Sequence, residues 1–257
     1  MDLSTLWLAL SVFLLGMSKG GLPIGGVVLP LLILVWPNPS DAARAAVAFM
    51  LPVLCLMDAV AVAFYRRHVD WRRVWPPMPA TVVGVVIGSV LFVSARQSFL
   101  AVSEKTLRVC IGAVGLAFVM DYVVRNLLLK RAAQASVPGP LKTHAYGLAA
   151  GVTSTLAHAA GPIMSMYYLP MRMPKMQFVA TTAAYFWLLN ALKLIPFVAY
   201  GQIKSDTLSS AGVVLPAIPL GVAAGYGLVH VLRPQVYMGL IYTLLFVTSL
   251  TLIIKAF

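Results

Sequence analysis

Apolar runs of about the length that crosses a bilayer recur from one end of this chain to the other. Uninterrupted runs read at 42–65, 74–95, 107–124, 177–200, 207–232 and 235–254. A hydrocarbon core about 30 Å thick takes roughly 20 helical residues. Inside it every backbone N–H and C=O has to be satisfied within the protein. The expectation is an all-α integral membrane protein. The 257 residues are 61% hydrophobic and only 10% charged, against about 25% charged in soluble domains, and the runs leave no room for a separate soluble domain. The formal net charge of +12 would suggest a nucleic-acid partner in a soluble protein. Here the basic residues fall mostly in short loops between runs, where they anchor and orient spans, so no nucleic acid is expected. The first run begins at Leu3 with no basic stretch and no small-residue cleavage site before Lys19, and is read as a retained span. Cys55 and Cys110 fall inside apolar runs. They are expected to be buried free thiols, with no disulfide or metal framework.

Two further apolar stretches, 3–36 and 141–170, are interrupted by glycine, proline and polar residues. The segment 128–142, LLKRAAQASVPGPLK, is the only convincing linker and divides the chain near its middle. The halves match at an offset of 135 residues: Gly16 falls on Gly151, Gly26 on Gly161, Pro39 on Pro174 and Tyr65 on Tyr200. GMSKGGLPIGG (16–26) thereby lies on GVTSTLAHAAG (151–161). Interrupted hydrophobic segments in corresponding positions of two halves point to a transporter's binding site. The reading is an N-terminal repeat over 1–127, a linker over 128–142 and a C-terminal repeat over 143–257, together one membrane domain.

As one helix, 3–36 would run about 50 Å, well beyond the bilayer core. It must break, tilt strongly or fold back. If both interrupted stretches fold back, Arg66, Arg67, Arg72, Arg73, Arg125, Lys130, Arg131, Lys142, Arg172, Lys175 and Arg233 share one membrane face. Arg44, Arg96, Lys105, Arg108, Lys204 and Lys255 share the other. That asymmetry is cleaner than single crossings give. It favours two inverted repeats, each a re-entrant or broken helical hairpin plus three transmembrane helices, with both termini outside.

Ionisable groups inside membrane segments are costly and tend to face a cavity or a partner. Four qualify: Lys19, Asp58, His158 and Lys193. Lys19 follows Ser18 and precedes Gly20 and Gly21, with Gly25 and Gly26 close behind. Glycines let a ligand approach bare backbone N–H groups, and a half-helix starting after such a break points its positive end at the ligand. With an ammonium and a hydroxyl added, the site suits an anion. The bland alternative is a snorkelling lysine beside glycines that only permit close packing. His158 lies among Thr153, Ser154 and Thr155, and Gly161-Pro162 can open a second half-helix. Its imidazole could donate to an anion or carry a proton, or simply bond between helices. Asp58 and Lys193 fall on each other at the 135 offset. Either they are paired charges holding the bundle, or Lys193 attracts substrate while Asp58 carries a coupling proton. Asn190, one turn from Lys193, shares its helix face. YRRHVDWRRVW (65–75) reads as an interfacial belt of basic and aromatic residues. GVVIG (84–88) and GVAAG (221–225) read as small-residue packing signals.

The ordered set GMSKGG (16–21), LMDA (56–59), YRRHVDW (65–71), TSTLAHAAGP (153–162), YLPMRMPKMQF (168–178) and NALKLIPFVAYGQI (190–203) resembles the TauE/SafE family of sulfite and organosulfonate exporters, also called the toluenesulfonate uptake permease family. The resemblance covers essentially the whole chain. It implies a multi-pass transporter of the bacterial inner membrane that moves small sulfur-containing anions such as sulfite, sulfoacetate or other organosulfonates. No cofactor and no enzymatic activity are expected from the residues, and protons are candidate co-substrates through His158 or Asp58. The family hallmarks are carried here by Ser18, Lys19, Gly20, Gly21, His158, Gly161 and Pro162. Leu22-Pro23-Ile24 stands where family members often continue a glycine run, which alters the expected shape of that turn. The expected substrate site comprises Ser18, Lys19, Gly20, Gly21, Gly25, Gly26, Ser154, Thr155, His158, Gly161, Asn190 and Lys193, with Asp58 and His158 as proton-coupling candidates. Alternating access is the expected mechanism. An anion channel built from the same residues is the alternative.

Overall fold

The computed structural model describes residues 3–19, 25–34, 36, 40, 42–93, 104–124, 137–203, 216–231 and, within 242–257, all but 244, 245, 248 and 252. Among these the regular structure is entirely helical. The helices are α1 (Leu3–Lys19), α2 (Gly25–Leu34), α3 (Ala42–Tyr65), α4 (Trp71–Val74), α5 (Met78–Val93), α6 (Glu104–Val123), α7 (Pro140–Ala157), α8 (Ala160–Tyr168), α9 (Lys175–Ala199) and α10 (Ala217–Val231). Two of them contain stretches long and apolar enough to cross a membrane, Ala42–Ala63 in α3 and Gln177–Ala199 in α9. Shorter apolar stretches are Ala9–Lys19, Met78–Phe92 and Arg108–Ala117. The runs read at 42–65, 74–95, 107–124 and 177–200 thus each coincide with a helix. All of 235–241 and the start of 207–232 lie outside the described residues.

The chain divides into two compact units, and each draws on both sides of the central linker. The first holds 1–53, 103–129 and 203–257, and the second 54–102 and 130–202.

In the first unit, α1 and α2 fold against each other. Ser11, Val12 and Leu15 of α1 line one small apolar pocket with Val28 and Leu32 of α2 and Phe49, Met50 and Val53 of α3. On a continuous helix Ser11 and Leu32 would stand roughly 30 Å apart, so the chain has turned back between them. Helix α1 crosses α10 with almost no space between backbones. A Cβ on Gly16 would sit 2.7 Å from the Ile218 carbonyl oxygen and 3.2 Å from the Gly221 Cα. A Cβ on Gly221 would strike the Phe13 carbonyl. Helix α6 meets the C-terminal helical residues in the same way: a Cβ on Gly112 would sit 2.8 Å from the Ser249 carbonyl oxygen.

The second unit repeats both devices. A Cβ on Gly151 of α7 would lie 2.9 Å from the Cα of Gly84 in α5 and would strike the Thr81 carbonyl. One on Gly84 would strike the Leu148 carbonyl. Helix α8 folds back along α7: the rings of Tyr146 and Tyr167 are 5.8 Å apart, although a continuous helix would separate them by roughly 30 Å. Val74, Met78, Val85, Ala150, Met164, Tyr168, Tyr185 and Leu189 share the buried core that results. Its edge is tied down by Asp70. That carboxylate caps α4 by accepting from the Arg72 backbone N–H at 3.2 Å. It also pairs with Arg73 at 3.1 Å and accepts from Gln177 Nε2 of α9 at 3.2 Å, while the Asp70 backbone N–H donates to Thr181 Oγ1. Deeper in, the hydroxyls of Thr81 and Tyr185 bond at 2.7 Å. Trp71 and Trp75 point outward, 40% and 57% exposed, beside exposed Arg66, Arg67 and Arg72, the outward disposition an interfacial belt requires. Cys55 and Cys110 are free thiols, though partly rather than fully buried.

Candidate functional site

The break in the second interrupted stretch is a helix C-terminus closed by a non-glycine residue. Helix α7 ends at Ala157, and His158 takes the left-handed conformation at φ 49° and ψ 30°. Its backbone N–H returns to the Ser154 carbonyl at 2.9 Å, and the Ala159 N–H to the Thr153 carbonyl at 3.4 Å. Such closure satisfies carbonyls that the last helical turn leaves open. The helix stops here because Pro162 has no N–H to return to residue 158, and its ring would press on that carbonyl. Pro162 is instead accommodated in the first turn of α8.

Helix α9 brings a cation to this break. Lys193 has no solvent exposure. Its Nζ donates to the Ser154 carbonyl at 3.1 Å and to Ser154 Oγ at 2.9 Å. It also lies 2.9 Å from Nδ1 of His158. A positive charge at a helix C-terminus faces the negative end of the helix dipole, and Lys193 thereby stabilises the end of α7. One turn earlier on α9, Asn190 donates from Nδ2 to Oδ2 of Asp58 at 2.7 Å. Asp58, on α3, is also fully buried. An amide donor to a buried carboxylate offsets part of what dehydration costs it.

Three of the four intramembrane ionisable residues, Asp58, His158 and Lys193, therefore lie in the second unit, in two hydrogen-bonded groups one helical turn apart on α9. Thr155 is buried and donates to the Gly151 carbonyl at 2.8 Å. Its side chain also fills the space where a Cβ on Gly88 would come within 2.8 Å, so it closes the α5–α7 joint. Gly161 is the second residue of α8, and among the described residues, apart from its own chain neighbours and helix backbone, no heavy atom lies within 4 Å of where a Cβ would stand. Ser18 and Lys19 end α1, both partly buried, and Gly25 and Gly26 begin α2. Gly20 and Gly21 lie outside the described residues. Among the described residues no group of three or more His, Cys, Asp or Glu side chains could hold a metal ion.

Sequence spacing did not single out Asp70 and Thr81 as the pins of this unit. The signal available was an aspartate directly before the short helix WRRV, an N-cap position.

The family model for the sulfite exporter TauE/SafE matches residues 8–252. No curated protein and no solved structure matches the chain. The match takes in the second interrupted stretch, the first one from residue 8 onward and the buried Lys193 cluster. By that match, nearly end to end, the chain belongs to the TauE/SafE sulfite exporter family, a family of membrane transporters.

Proposed function

We propose that this protein is a secondary transporter of small sulfur-containing anions, such as sulfite, sulfoacetate or other organosulfonates, working in export by alternating access in a bacterial inner membrane. The observation that carries the reading is the buried ammonium of Lys193 at the α7–α8 break, beside Ser154 and His158. A dry cation is costly to bury, and next to open space at a helix start it is suited to draw an anion out of water. The N-terminus of α8, nine residues long, adds backbone donors and the positive end of its dipole. Gly161 leaves room for the ligand to reach them. In this reading Asn190 shares the pocket wall, Thr155 shapes it, and Ser18, Lys19, Gly20, Gly21, Gly25 and Gly26 supply the matching break from the first half. Coupling to protons belongs to the proposal, with His158 or Asp58 as the carrier; export running downhill on an inside-negative potential is the alternative.

Two inverted repeats are part of the proposal. The repeated joint supports them: Gly16 on Gly221 in one unit and Gly151 on Gly84 in the other. Each pairs the first helix of one half's hairpin with a span of the other half. Alternating access by rocking of one half against the other is the mechanism proposed.

Flux in proteoliposomes tests the reading, with sulfite, sulfoacetate, thiosulfate and sulfate as competing anions. Saturable uptake is expected. Lys193→Gln and His158→Ala are expected to lower its kcat/KM roughly tenfold or more, the equivalent of one lost charge-assisted bond of about 1.5–3 kcal/mol. Unchanged saturable flux in both variants, with the proteins folded, sinks the site. Non-saturating flux with single-channel conductance favours the anion channel instead.

A further inference from the structure

One end of the second unit gathers exposed cations from separate parts of the chain. Arg66 and Arg67 form a short helical turn with His68 directly after α3, and Arg72 lies on α4. All three arginines are exposed. Lys142, exposed in the first turn of α7, stands at the same end. Helices α5 and α7 run parallel there: Cβ atoms on Gly147 and then Gly151 of α7 would strike the carbonyls of Pro77 and then Thr81. Pro77 follows Trp75 by two residues, and Lys142 precedes Gly147 by five, about 8 Å nearer the start of α7. The membrane-length stretch of α9 begins at this level too, since Gln177 opens it and bonds Asp70.

The unit's own sequence does little to neutralise this end. Residues 54–102 and 130–202 contain two carboxylate side chains, Asp58 and Asp70. Asp58 is fully buried and lies about 10 Å back along α3 from Tyr65. Asp70 holds Arg73 and Gln177. Beside the four cations, the rings of Trp71 and Trp75 stand 6.5 Å apart and point outward. Indoles favour the depth at which headgroups meet acyl chains. A dissolved anion has no use for them. A phospholipid with a negative headgroup uses both features: its phosphate suits the guanidinium forks, and its glycerol and upper acyl chains lie along the indoles.

We propose that this end of the second unit is a docking site for an anionic phospholipid, built from Arg66, Arg67, Arg72 and Lys142 with Trp71 and Trp75, and that its occupation stabilises the folded protein. The headgroup draws together the turn after α3, helix α4 and the first turn of α7, which are separate in the chain. The site stands apart from the Lys193 cluster, and the proposal does not depend on which anion is transported.

The test titrates the full-length protein in uncharged detergent with phosphatidylglycerol and follows thermal unfolding. Phosphatidylcholine and free glycerol 3-phosphate are the comparison arms. Phosphatidylglycerol is expected to raise Tm to a plateau, because a ligand of the folded state stabilises it, and added salt is expected to shrink the rise. The other two are expected to leave Tm unchanged. Arg72→Gln should weaken the apparent affinity for phosphatidylglycerol about fivefold, the share of one basic residue near an anionic surface. Arg66→Gln, Arg67→Gln and Arg72→Gln combined should weaken it about a hundredfold. Lys255→Gln, which removes an exposed charge from the first unit, should leave it unchanged. Equal stabilisation by phosphatidylcholine overturns the proposal, and equal stabilisation by glycerol 3-phosphate replaces the lipid with a soluble anion. Unchanged affinity in Arg72→Gln, or an equal loss in Lys255→Gln, also overturns it.

Discussion

Replacing Gly151 by alanine adds one methyl group where α7 crosses α5. The new Cβ would stand 2.9 Å from both Cα and C of Gly84 and closer still to the Thr81 carbonyl oxygen, whereas ordinary contact begins at 3.4 Å. Every obstructing atom is backbone, so no side chain can rotate away. The helices have to part by at least the half ångström between 2.9 and 3.4 Å. A gap of about 0.5–1 Å already forfeits a quarter to a half of each packing contact along the joint, and forced overpacking typically costs about 1–3 kcal/mol. Against this, alanine gains about 0.8–1 kcal/mol of helix propensity over glycine. The expected net effect is a loss of about 1 kcal/mol, or a Tm lowered by roughly 2–4 °C for a chain of this size. Thermal unfolding followed by size-exclusion fluorescence in detergent reads it. If Gly151→Ala is as stable as wild type or more so, propensity has won and the close backbone crossing is wrong.

Asn190→Ala removes the donor to the buried Asp58 carboxylate and should destabilise by about 1–3 kcal/mol or more. Combined with Asp58→Asn the losses should be non-additive by about 0.5–3 kcal/mol in a double-mutant cycle, and simple additivity refutes the pairing. Asp70→Ala strips the α4 cap, the Arg73 pair and the Gln177 bond together. A loss of about 1–2 kcal/mol is expected from the cap alone, with faster hydrogen exchange at the start of α9 as the local sign.

The class of protein was legible in the sequence, as were the spans at 42–65 and 177–200, which coincide with helices long and apolar enough to cross a membrane. So was the second interruption, because Pro162 has no N–H to continue the ladder of α7; the first falls on residues 20–24, outside the described residues. The four intramembrane ionisable residues stood out for the same reason of cost. Partnership did not. The 135-residue offset set Lys193 on Asp58, while the folded chain sets Lys193 on Ser154 and His158 and Asp58 on Asn190. Repeat alignment records which positions share an ancestor's place, whereas contact depends on how helices far apart in sequence cross. The chain's turning back at its interruptions was likewise open in the sequence, since a broken helix can bend through or reverse. The Tyr146–Tyr167 ring contact decided it for α7 and α8, because long-range packing fixes a direction that local propensity leaves free.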